Sequence, residues 1–85
     1  MNGEKIFKPF SVPCNAGTII EIEADEFEAI CLCDLEDCNQ TIAGEKMGVS
    51  RGTIQRLLAS GRKKLTMALL HDKVIIIKQN LEEEK

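Results

Sequence analysis

The stretch IAGEKMGVSRGTIQRLL, residues 42–58, constrains the fold more than any other part of the chain. Gly44 and Gly48 stand four residues apart, Val49 follows, and Ile54 and Leu57 lie six and nine residues beyond Gly48. Two helices that cross over a tight turn need a small residue at the crossing and a glycine free to turn left-handed. They also need apolar side chains at fixed offsets to seat the second helix. All three are present, so a helix-turn-helix is expected. Its first helix runs about Gln40–Met47 and is broken by Gly48; its second opens behind Ser50, whose hydroxyl suits an N-cap.

In that later helix Ile54, Leu57, Leu58, Leu65 and Leu69 fall on one stripe. Gly61 costs roughly 1 kcal/mol relative to alanine inside a helix, so a bend or an end is expected there. Upstream, Ile20 and Ile22 alternate with Glu21 and Glu23, the period of a half-wet strand. Asp25 and Glu28 resemble a capping box, and Phe27, Ile30, Leu32 and Leu35 read as the buried side of the helix that follows. Near the C-terminus KVIIIK is strongly β-prone.

The expected fold is therefore mainly α: a helix-turn-helix three-helix core with short flanking β-strands at the two ends. Residues 1–17, with Pro9, Pro13, Asn15 and Gly17, read as an irregular N-terminal arm, 18–79 as the domain, and 80–85 as a charged tail. Eighty-five residues support one small domain with a thin stability margin. The strands TIIEIE and VIIIK pair either within one chain or across two, and a homodimer is expected. No apolar run is long enough to span a membrane, and the N-terminus lacks a signal-peptide core. A cytoplasmic location with reduced cysteines and no membrane partner is expected.

Charge points to function. The net charge is −3, yet six lysines and arginines and no carboxylate lie between Lys46 and Lys64. With Ile54, Leu57 and Leu58 turned inward, Arg51, Gly52, Gln55 and Arg56 face outward at the start of the last helix, about residues 51–65. Those are base-reading positions when such a helix enters a major groove. Arginine bridges guanine O6 and N7, glutamine pairs with adenine, and Gly52 permits close approach. Thr41, Ser50, Thr53, Arg62, Lys63 and Lys64 are phosphate-contact candidates. A solvated basic face is the ordinary alternative.

The segment from EADEFEAI through MGVSRGT, QRLL and RKKL, with Phe7–Pro9 and Pro13 upstream, resembles the prokaryotic family called domain of unknown function one-three-four. The resemblance covers nearly the whole chain. It implies small DNA-binding proteins with a helix-turn-helix similar to region four of sigma factors, and names no target. The chain departs from the family pattern in its weakly basic N-terminal arm, in Cys31 and in Gly61.

Cys31, Cys33 and Cys38, with Cys14, raise a metal or redox alternative. Four-cysteine zinc sites favour two cysteine pairs each spaced by two to four residues, and here only Cys33 and Cys38 have that spacing. Cys31 and Cys33 would diverge by roughly 200° on a helix, so small buried or half-buried thiols are favoured. His71, the lone histidine, reads as solvated or capping. No catalytic constellation is visible, and neither enzyme activity nor a cofactor is expected. The sequence thus reads as a DNA-binding transcriptional regulator, with double-stranded DNA as partner and RNA polymerase or another protein a candidate for the acidic face. A protein-interaction module of the same shape and a cysteine-based sensor are the alternatives.

Overall fold

Residues 4–10 and 19–79 are described in the computed structural model. Their elements are β1 (Lys5–Phe7), β2 (Ile19–Ile22), α1 (Ala24–Ile30) running on into a π-helical segment (Cys31–Leu35), α2 (Gln40–Met47), α3 (Arg51–Leu70) and β3 (Val74–Ile77). The fold is mainly α with strands at both ends, as expected.

Local chemistry sets most boundaries. The Asn39 side chain accepts a hydrogen bond from the Ile42 N–H at 2.8 Å and opens α2. Gly48, at φ 76°, closes α2 in the left-handed conformation. Ser50 Oγ accepts from the Thr53 N–H at 3.1 Å and opens α3. The start of α1 differs from expectation: its capping box is Glu23 with Glu26, not Asp25 with Glu28. An extended Glu23 follows directly from β2, and its own N–H is satisfied by Glu26 Oε1 at 2.9 Å.

Two expected core leucines lie outside the core. Leu35 is exposed because the helix widens at Cys31, where the Glu36 N–H bonds to the Cys31 carbonyl. The extra residue in that turn rotates later positions off the buried stripe. A left-handed Asp37 then ends the helix, and the Cys38 N–H returns to the Leu32 carbonyl at 2.9 Å. Leu69 is also exposed, because near the end of α3 it is Ala68 that faces the sheet.

Gly61 does not end α3, which continues to Leu70 rather than stopping near residue 65. An alanine Cβ there would lie 2.8 Å from Ile30 Cδ1 and 3.3 Å from Glu26 Cβ. Its missing side chain is the space into which α1 packs. The lost helix propensity is offset by that close approach.

The sheet order is β1–β3–β2. β1, inside the arm expected to be irregular, pairs antiparallel to β3 with Phe7 opposite Ile75. β2 pairs parallel to β3 with Ile22 opposite Ile77, so the two expected strands join within one chain. Residues 11–17 of the arm, including Cys14, and the tail 80–85 lie outside the described residues.

The buried side chains form two clusters. Ala29, Leu32, Ala43, Ile54 and Leu58 knit the three helices together, with Cys33 and Cys38 packed against them. Ile22, Ala68, Ile75 and Ile77 fasten α3 to the sheet, joined by Ile20, Phe27 and Leu65. No described helix is long and apolar enough to cross a membrane.

Candidate nucleic-acid interface

The geometry begins at the turn. The Gly44 carbonyl accepts from both the Gly48 and the Val49 N–H groups, the latter at 2.9 Å. A Cβ on Gly44 would stand 2.6 Å from the Val49 carbonyl oxygen, closer than real contacts allow. The turn therefore folds directly over α2, and the start of α3 is held by backbone as well as by buried Ile54 and Leu58.

With that side inward, Arg51, Gly52, Gln55 and Arg56 are all exposed, as are Thr41 and Ser50. Gly52 has open space around it: nothing would approach an added Cβ closer than 3.9 Å. Thr53 is half-buried and its hydroxyl is engaged, accepting from Ser50 Oγ at 3.1 Å and from Arg56 Nη2 at 3.3 Å. Those bonds draw the Arg56 guanidinium back toward the N-terminus of α3, so a polar relay Ser50–Thr53–Arg56 lines one side of that end. Among the described residues, neither Arg51 nor Arg56 is ion-paired.

Two of the six cations are committed elsewhere. Arg62 makes a two-pronged contact with Asp34, with Nε to Oδ2 at 3.1 Å and Nη2 to Oδ1 at 2.6 Å. The bond to the Asp34 carboxylate raises the Arg62 pKa above its usual value. Lys64 Nζ donates to Glu26 Oε1 at 2.9 Å. Glu26 is 5% exposed and also accepts from the Ser60 hydroxyl and the Glu23 N–H. Burial alone would push its carboxyl pKa up, but bonds from Ser60, Glu23 and Lys64 outweigh that and hold it below its usual value. Arg62 and Lys64 thus tie α3 to the helix before it, and their charge is balanced in place.

Lys63 is exposed, and so is Lys46 in the last turn of α2, which is not among the expected phosphate contacts. The signal for Lys46 was the absence of carboxylates downstream of it. Sequence spacing gave no sign of the Glu26 and Asp34 partners, which lie 38 and 28 residues from their cations.

The cysteines are distributed differently from a ligand set. Cys31, Cys33 and Cys38 are free and half-buried. Among the described residues no three histidine, cysteine or carboxylate side chains are grouped to hold a metal ion. Burial, then the nearby Glu36 and Glu28, pushes the Cys31 thiol pKa up. Cys33 is raised by burial, Asp34 and Cys38, against a smaller opposing effect of Arg62. His71 caps the end of α3 and is exposed.

Three helices with a tight left-handed turn before a long basic helix, closed by a small sheet, define a helix–turn–helix domain. Within that class, the chain belongs to the family described as Protein of unknown function DUF134, which it matches over residues 3–83. It is similar to a UPF0251 protein of Shewanella sediminis, 42% identical over 78 residues covering 92% of this chain and 81% of that one. A UPF0251 protein of Vibrio vulnificus is 36% identical over 80 residues, covering 93% of this chain and 80% of the relative. No solved structure matches the chain.

Proposed function

We propose that this chain is a sequence-specific DNA-binding protein and a transcriptional regulator that reads the major groove with the first half of α3. One observation carries the reading: Arg51, Gln55 and Arg56 project from a helix end fixed by the turn, and among the described residues no carboxylate is ion-paired with either arginine. Exposed Gly52 beside them lets a groove wall approach closely. Arg51 and Gln55 are free to meet base edges. Arg56, held toward the helix N-terminus through Thr53, is placed for a phosphate as well as for a base.

Fluorescence anisotropy with pooled duplexes at several salt concentrations tests this. With Arg62 and Lys64 committed to carboxylates, four of the six cations between Lys46 and Lys64 remain for phosphates: Lys46, Arg51, Arg56 and Lys63. Counterion release at about 0.9 per neutralised phosphate then gives a log–log salt slope of roughly −3 to −4 per chain. The Arg51→Ala, Arg56→Ala double variant should bind at least tenfold more weakly, whereas Arg62→Ala should change binding little. Equal binding by the double variant and the wild type would sink the residue assignment. A flat salt response would favour a protein-interaction module of the same shape.

A further inference from the structure

Away from the proposed reading end, the last turn of α3 and the outer strand β1 share an apolar surface left uncovered among the described residues. A groove of about 210 Å³ runs between them, lined by Phe7, Lys8, Pro9, Leu69, Asp72 and Lys73 among others. Phe7 is 55% exposed, Leu69 73% and Leu70 71%, and Phe10, next to Pro9, is fully exposed. We propose that this face is the contact between two copies of the chain, related by a two-fold axis.

The area fits such a contact. The exposed portions of Phe7, Phe10, Leu69 and Leu70 together amount to roughly 500 Å², taking side chains of ordinary size. A stable interface takes about 800 Å² from each partner, of which about 65% is apolar in homodimers, or roughly 520 Å². Phe7 and Leu69, which line the groove, supply the apolar share when their exposed chain neighbours Phe10 and Leu70 are covered with them, and the polar rim is at hand in Lys8, Asp72 and Lys73. A two-fold contact joins each patch to itself, so it needs both signs of charge on one rim. Asp72 of one copy facing Lys8 or Lys73 of the other meets that need.

The position of the face also suits the function proposed above. Thr53 and Leu69 are sixteen residues apart on α3, about 24 Å at the helical rise. Two such arms meeting at the axis can span up to about 48 Å. Half-sites one DNA turn apart, about 34 Å, lie within that reach. This spacing rests on the DNA-binding reading, whereas the apolar area does not.

Sedimentation of the full chain without DNA tests the proposal, so its outcome is separate from that of the anisotropy experiment. At micromolar concentration the wild type should sediment at twice 9.5 kDa. The Leu69→Glu, Leu70→Glu variant should dissociate at least tenfold more readily, with its far-UV circular dichroism unchanged. Leu69→Met, Leu70→Met should remain dimeric. If the glutamate pair fails to fold, Phe7→Asp on the opposite wall carries the same expectation. A wild type that stays at 9.5 kDa at high micromolar concentration overturns the proposal and leaves the groove to the chain's own terminus or to a different protein. A folded glutamate variant as tightly dimeric as the wild type overturns it too. Failure of DNA binding with dimerisation intact would refute only the function proposed above.

Discussion

Glu26 is the polar pin between α1 and α3, and replacing it with glutamine isolates the value of its charge. Its carboxylate accepts from the Glu23 N–H at 2.9 Å, from Lys64 at 2.9 Å and from the Ser60 hydroxyl. Glutamine keeps one carbonyl oxygen for Glu23, and its amide can donate to a rotated Ser60 hydroxyl, so no buried group is orphaned. What disappears is charge assistance, which roughly doubles the strength of a hydrogen bond. Halving two largely buried bonds of about 1.5–3 kcal/mol each costs about 2 kcal/mol. The contact with one-third-exposed Lys64 adds less than about 1 kcal/mol.

Urea unfolding followed by far-UV circular dichroism should therefore place Glu26→Gln about 2 kcal/mol below wild type at pH 7, with the same m-value. The folded pKa of Glu26 lies below its ordinary 4.5, so its extra stability is fully present above that value. It is lost as pH falls through the lowered folded value, and the gap between variant and wild type must close there. An unchanged midpoint at pH 7, or a gap that persists in acid, would refute the assignment of Glu26 as a charged pin.

Two glycines provide a matched pair. Gly44→Ala forces a Cβ to within 2.6 Å of the Val49 carbonyl and should cost about 1–2 kcal/mol after the gain in helix propensity, read as a fall in Tm. Gly52→Ala meets open space and should leave the Tm level or raise it, so a shared sign would contradict the packing described. The raised Cys31 and Cys33 pKa values mean less thiolate at pH 8, so both should be alkylated by iodoacetamide more slowly than in the urea-unfolded chain. Equal rates would show that neither burial nor the nearby carboxylates restrain them.

The parts legible in the sequence were those whose cause is local. α2 and the start of α3 follow from Gly48 and Ser50, which act within a few residues of themselves. The outward direction of Arg51, Gln55 and Arg56 follows from the Ile54 and Leu58 stripe. What escaped depends on partners far along the chain. β1 is three residues long beside a proline, too short for a periodic signal, and exists because β3 offers it an edge. The π-helical turn that expels Leu35, and the pairing of Arg62 with Asp34, arise only once the helices are packed. On its own helix Gly61 is only a weak point; the close contact with Ile30 that explains it belongs to α1.

The parallel pairing of β2 with β3 sets the order in which this domain can be completed. Ile19 pairs with Val74 and Ile22 with Ile77, so the strand entering the helices and the strand leaving them are neighbours. Closing that loop is a long-range step, and nearly the whole chain must exist before the contact can repay its entropy. A nascent chain still lacking residues 74–77 can form helical turns, but the far end of α3 has no sheet to rest on. The contacts of Ala68 and Leu65 with Ile22 and Ile75 are thus among the last to be made. During synthesis, the far end of α3 gains its support on the sheet only after β3 has left the ribosome.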